Sequence, residues 1–105
     1  MLDLLEVVAE PNRRKLLQLL TSGEKSVSEL AADFSVSRSA ISQQLLLLLE
    51  ARLISVRKHG RNRFYAIEPA GMARLKKFFL DEFWSHELDQ LVTEAQAIHS
   101  KRTGR

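Results

Sequence analysis

The chain has 105 residues, a length that fits one domain with a single modest core, and its 45% hydrophobic and 28% charged residues have the balance of a folded rather than a disordered protein. Cysteine is absent, which excludes disulfides, thiolate metal sites, thiol redox switching and cysteine nucleophiles. The net charge is +3 but unevenly spread: between Arg38 and Tyr65 the bases Arg38, Arg52, Arg57, Lys58, Arg61 and Arg63 face the single acid Glu50, whereas Phe78 to Ile98 holds Asp81, Glu82, Glu87, Asp89 and Glu94 with no Lys or Arg. The first stretch attracts an anionic partner and the second repels one.

Met1 to Glu10 carries Asp3, Glu6 and Glu10 without a basic segment, so no export signal is expected there. No apolar run reaches the ~18 residues of a membrane span, so no membrane partner is expected and the expected compartment is the cytoplasm. Leu2, Leu5 and Ala9 are spaced for a short amphipathic helix over 1–9. Pro11 suits the first turn of a second helix, whose apolar face is Leu16, Leu17, Leu19 and Leu20 and which ends before Gly23. Ser26-Val27-Ser28-Glu29 reads as a capping box, opening a helix of about two turns with Leu30, Ala31 and Phe34 inward.

Ser35-Val36 predicts a tight break, and Ser37 predicts the cap of a helix running to about Ala51. At 100° per residue Ile41, Leu45 and Leu48 share one side. Ser39, Gln43 and Leu46 share the other, with Arg38 and Ser42 between. From Leu53 the period changes to two. Ile54 and Val56 alternate with Ser55 and Arg57, His59-Gly60-Arg61-Asn62 is turn-forming, and Phe64, Tyr65 and Ile67 resume a β-rich run. This predicts a two-stranded hairpin over 54–67 with a basic tip. Pro69 then opens a long helix, about Ala70 to Ser100, before a tail at 101–105. Gly71 is tolerated near the start of that helix.

Two helices joined by a tight turn over 26–51, followed by a basic hairpin, make a mainly α winged helix-turn-helix. Small Ala31 and Ala32 let the two helices cross closely, and Val36, Ile41 and Leu45 are expected to bury their junction. The outer face of the second helix is then free for a major groove about 12 Å wide. Ser37, Arg38, Ser39, Ser42 and Gln43 can reach base edges or phosphates, and Arg57, Lys58, Arg61 and Arg63 can grip the backbone of double-stranded DNA. His59 is read as a backbone contact or a solvated turn residue.

Trp84, Leu88, Leu91, Ala95 and Ile98 fall on a heptad seam. A helix of ~30 residues is ~45 Å long, more than a domain of this size can cover. Pairing with a second copy through this seam is the economical answer. A two-fold homodimer then holds two recognition helices one DNA turn apart, about 34 Å, and reads an inverted repeat.

Glu10-Pro11-Asn12-Arg13-Arg14, Ser26-Val27-Ser28-Glu29-Leu30-Ala31, Ser37 to Leu45, Glu50-Ala51-Arg52-Leu53-Ile54 and Lys58 to Tyr65 together resemble the ArsR/SmtB-type winged-helix repressors, over roughly Leu4 to Ile98. The resemblance implies a prokaryotic dimeric transcriptional repressor with its recognition helix at Arg38–Ala51 and its dimer built from the first and last helices. Three features depart from the family pattern. Gln44 stands where His is frequent, Arg52 where Gly is frequent, and Leu46 and Leu49 where the family usually has Lys and Arg or similar polar residues. The run Leu45–Leu49 reads either as extra core or contact with the C-terminal helix, or as an apolar patch for an effector or partner.

Many relatives sense metals through Asp-x-His and His-x-x-Glu or His-x-x-His on the last helix. Here Trp84-x-His86 and His99-x-x-Arg102 stand there, and neither indole nor guanidinium binds zinc. Phe83 to Leu91 resembles a branch not known for metal sensing. No metal site and no cofactor are therefore expected. The alternative is an improvised site of His86 and His99 with Glu82, Glu87 or Asp89. No phosphate-binding glycine loop or His-Glu-x-x-His motif is present, so an enzyme is not expected. The opposed reading is a winged helix that docks proteins rather than DNA. No effector is indicated.

Overall fold

The computed structural model describes residues 3–82 and 86–102. Their elements are α1 (Leu4–Ala9), α2 (Pro11–Leu20), β1 (Lys25–Ser26), α3 (Val27–Ala31), α4 (Arg38–Glu50), β2 (Ile54–His59), β3 (Asn62–Ile67), α5 (Pro69–Glu82) and α6 (His86–Arg102). The chain packs as two units, Met1–Leu75 and Lys76–Arg105. Where the sequence predicts one helix over 70–100, two helices are described on either side of 83–85, which lie outside the described residues.

The helix starts of the first unit are set locally. The Asp3 carboxylate accepts from the Leu5 amide at 2.9 Å, and Glu10 accepts from the Arg13 amide at 2.9 Å with Pro11 in the first turn. The capping box forms as expected. Ser26 Oγ accepts from the Glu29 amide at 3.2 Å, and the Ser26 amide donates to the Glu29 carboxylate at 3.0 Å. The Ser26 amide, and after it the Ser26 hydroxyl, hold the Glu29 carboxyl below its ordinary value.

The core of this unit is one cluster. Leu16, Leu20, Leu30, Ile41, Leu45, Leu48 and Leu53 are fully buried, joined by Val7, Leu17, Val27, Ala51, Ile54 and Tyr65. Each such aliphatic side chain contributes about 1.5–3 kcal/mol by leaving water. In α1 the inward residues are Val7 with Leu4 and Val8, whereas Leu5 is half-buried and Ala9 exposed. Leu2 lies outside the described residues.

Several packing expectations are corrected. α3 spans five residues rather than two full turns. The Asp33 amide donates to the Leu30 carbonyl at 3.2 Å and the Phe34 amide to the Ala31 carbonyl at 3.1 Å, a tightened exit. Phe34 packs against the core, while Val36, at the tip of the turn, is 41% exposed and does not bury the junction. Ala31 packs against the core but Ala32 is exposed.

α4 ends in a Schellman motif. The Leu53 amide donates to the Leu48 carbonyl at 3.1 Å and the Arg52 amide to the Leu49 carbonyl at 2.9 Å, with buried Leu48 and Leu53 as the accompanying apolar pair. Arg52 takes the left-handed position at φ 60°, which costs a residue with a Cβ about 1–2 kcal/mol. The chain then enters the sheet at Ile54.

That sheet has three strands, not two, in the order β1-β3-β2, all antiparallel. In β2 and β3, Ile54 pairs with Ile67, Val56 with Tyr65 and His59 with Asn62. This leaves Gly60-Arg61 as a two-residue loop, with Gly60 at φ 63° in a conformation few other residues adopt. On β1, Lys25 pairs with Tyr65 and Ser26 with Phe64. Val56, which alternates with Ser55 and Arg57 as expected, is nevertheless 41% exposed, because the hairpin runs past the core after Ile54.

α5 begins under the α4–β2 corner. Gly71 is buried, and a Cβ built on it would stand 1.8 Å from the Arg52 carbonyl oxygen. Glycine is required at this position, beyond the tolerance expected from the sequence. Met72 and Leu75 pack against the core. In the second unit α6 carries Leu88, Leu91 and Ala95, and Leu91 is 59% exposed. No helix among the described residues is long and apolar enough to cross a membrane.

Candidate nucleic-acid interface

The inward face of α4 is fixed by Ile41, Leu45 and Leu48, and this decides what the opposite face presents. Ser39, Gln43 and Leu46 all point to solvent there, with Arg38 and Ser42 exposed on the flank. The Ser37 hydroxyl caps the helix, accepting from the Ala40 amide at 3.1 Å. Its O–H is left to donate to an external acceptor such as a phosphate.

A groove of about 380 Å³ separates α4 from the hairpin. Arg38, Ser42, Leu46 and Leu49 form its α4 wall, and Arg61, Asn62, Arg63 and Tyr65 its hairpin wall, with Ser26, Val27 and Ser28 at the start of α3 closing the end. The fold thus brings together Arg38, Ser42, Arg61 and Arg63 from the expected set. Ser39 and Gln43 lie further round α4, and Lys58 is exposed on β2. Three cations with nothing acidic in the lining make the groove suited to a polyanion.

Arg57 is placed differently. Its Nη2 and Nε donate to the two oxygens of Glu24 at 2.7 Å and 3.0 Å, and its guanidinium lies 4.9 Å from the Phe64 ring centre. The hydrogen bond from Arg57 outweighs desolvation and, with the guanidinium charge as a smaller aid, holds the Glu24 carboxyl below its ordinary value, and Arg57 is raised in return. Its charge is therefore partly answered inside the molecule.

Sequence reasoning missed Asn62 and Ser28 in the groove and Glu24 beside Arg57. Asn62 sits in the turn segment already singled out, but the Glu24 partnership spans 33 positions and has no local signal. The expected seam residues Leu88, Leu91 and Ala95 lie on α6. Trp84, the side chain of Ile98 and the candidate metal ligands His86 and His99 lie outside the described side chains. Among the described residues no group of three or more His, Asp or Glu side chains is placed to hold a metal ion.

Residues 10–56 match the family model described as bacterial regulatory protein, arsR family. The HTH-type transcriptional regulator Rv2034 of Mycobacterium tuberculosis is 41% identical over 83 residues, covering 79% of this chain and 77% of that protein. A transcriptional repressor SmtB homolog of Synechocystis is 39% identical over 67 residues, covering 64% of this chain and 51% of that protein. A crystal structure of a possible transcriptional regulator for arsenical resistance superposes with a TM-score of 0.81 at 57% identity, covering 90% of this chain and 97% of that one. The fold is thus that of a known architecture, and the chain belongs to the arsR family of bacterial regulatory proteins.

Proposed function

We propose that this chain is a dimeric, sequence-specific transcriptional repressor that occupies an inverted-repeat operator. Its family consists of DNA-binding transcriptional regulators rather than enzymes. The observation that carries the reading is the solvent-facing polar side of α4 sharing one groove with Arg61 and Arg63 of the hairpin. In the proposed complex α4 enters the major groove, where Gln43 can bond adenine in two places and Arg38 can bond guanine or a phosphate. Ser39 and Ser42 supply shorter contacts, and Ser37 and the N-terminus of α4 meet a phosphate. Lys58, Arg61 and Arg63 hold the backbone and set the register, with Arg57 contributing in competition with Glu24. Two subunits joined through Leu2, Leu5, Trp84, Leu88, Leu91, Ala95 and Ile98 present two such surfaces to one side of a duplex.

The test is binding to a duplex selected by the protein from a random pool, against random DNA, across a salt series. Affinity for both falls steeply with salt as Lys and Arg displace counterions. Arg38→Ala with Gln43→Ala lowers discrimination between the two duplexes, while Arg61→Ala weakens both together. Salt-insensitive or absent binding would instead identify a protein-docking winged helix. Unchanged discrimination in the double variant would move recognition away from α4.

A further inference from the structure

We infer that Leu46 is a specificity-determining residue that reads the methyl group of a thymine in the major groove. The inference rests on the DNA-binding reading above and adds a contact that neither charge nor hydrogen bonding supplies.

Four of the five residues in the Leu45–Leu49 run are accounted for by the protein itself. Leu45 and Leu48 are fully buried, Leu49 packs against the core, and Leu47 is half-buried. Leu46 is 55% exposed, more than any other large apolar side chain among the described residues up to Leu75. It is not part of the core cluster and shares the α4 wall of the groove with Arg38 and Ser42, across from Arg61 and Arg63.

Its position on α4 matches base reading. Residue 46 lies within about 20° of residue 39 around the helix, at 100° per residue. It stands about 4.5 Å beyond Gln43 along the axis at 1.5 Å per residue, close to one base-pair step. A side chain there meets the base pair next to the one that Gln43 faces. The apolar feature a major groove offers is the thymine C5 methyl, which leucine can cover but cannot hydrogen-bond.

The surroundings select against an apolar protein surface as the occupant. Such a partner would strip water from Arg38, Arg61 and Arg63 without supplying counter-charge, which is costly. A duplex supplies phosphates for the arginines and a methyl for Leu46 in one ligand.

The experiment replaces each thymine of the selected duplex in turn by deoxyuridine, which removes only the C5 methyl. Wild type loses about fourfold in affinity at one position per half-site, the size expected for one buried methyl. Leu46→Ala, which the exposure of this residue leaves folded, binds more weakly and is indifferent to the same replacement. Leu46→Met keeps the sensitivity. Equal sensitivity in wild type and Leu46→Ala overturns the inference while leaving DNA binding intact. So does a change in sedimentation of Leu46→Ala without a change in methyl sensitivity, which would assign Leu46 to a contact between protein copies. Failure to select any duplex overturns the DNA-binding reading first and this inference with it.

Discussion

Arg13 joins three helices through one guanidinium: its Nη1 donates to Oε1 of Gln44 at 2.8 Å. Its Nε donates to the Val7 carbonyl at 2.6 Å and its Nη2 to the Glu6 carbonyl at 3.3 Å. The two carbonyls belong to the last turn of α1, where backbone acceptors lack helical partners and a cation is favoured by the helix dipole. Gln44 belongs to α4, so one side chain of α2 fixes the entry helix against the helix that carries the polar face. Arg13→Ala is expected to cost about 1.5–3 kcal/mol, the range for hydrogen bonds to a charged group, read from the urea midpoint. Arg13→Lys is expected to recover little, because a point donor cannot span acceptors on two helices.

Gly71 and the Arg52 carbonyl set how closely α5 approaches the corner after α4. A methyl group at 71 would meet main-chain oxygen, which cannot rotate away. Gly71→Ala is expected to destabilise by at least about 1–3 kcal/mol, the usual cost of overpacking. The gain in helix propensity, about 1 kcal/mol, is too small to offset it. A urea titration in which Gly71→Ala matches or exceeds wild type would contradict the close approach.

The Glu24–Arg57 pair predicts a pH and a salt signature. A carboxyl whose value is lowered by folding stabilises above its ordinary value of 4.5, and that contribution disappears as pH falls through the lowered value. Comparing wild type with Glu24→Gln, the difference in stability is therefore expected to be constant at neutral pH and to vanish only in acid. Both partners are substantially exposed, so the effect is small. On DNA the same substitution frees Arg57 for phosphate. The salt dependence is expected to steepen by about one counterion per subunit.

Much of this fold was legible because its instructions are local. Pro11, the Ser26/Glu29 box, the Ser37 cap and the Gly60-Arg61 loop each act within a few residues, and the α4 periodicity alone separated Ile41, Leu45 and Leu48 from Ser39, Gln43 and Leu46. What escaped depends on meetings across the chain. β1 is two residues long and exists only because Tyr65 and Phe64 offer it an edge. Val36 stays at the exposed tip of the turn, leaving Phe34, whose inward place was readable, to pack against the core. Gly71 looked permissive until the Arg52 carbonyl was placed beside it, and Arg57 looked wholly available until Glu24 was. At the site, the helix face was readable and the division of labour among the hairpin cations was not.

Leu88 and Leu91 on α6 provide the test of the proposed dimer. Replacing both by Glu adds four negative charges to a two-subunit seam, where like charges cannot be desolvated together. Sedimentation is expected to show monomers, and operator affinity is expected to fall with the loss of the second binding surface. A dimer that sediments as wild type would place the contact elsewhere.

Ser26 serves two masters. Its backbone is the β1 partner of Phe64, and its hydroxyl holds the first turn of α3. There is consequently no free joint between the cationic finger and the helix-turn-helix at this end of the groove. A force that tilts the finger must drag the start of α3 with it, so the jaw opens or shuts as one piece.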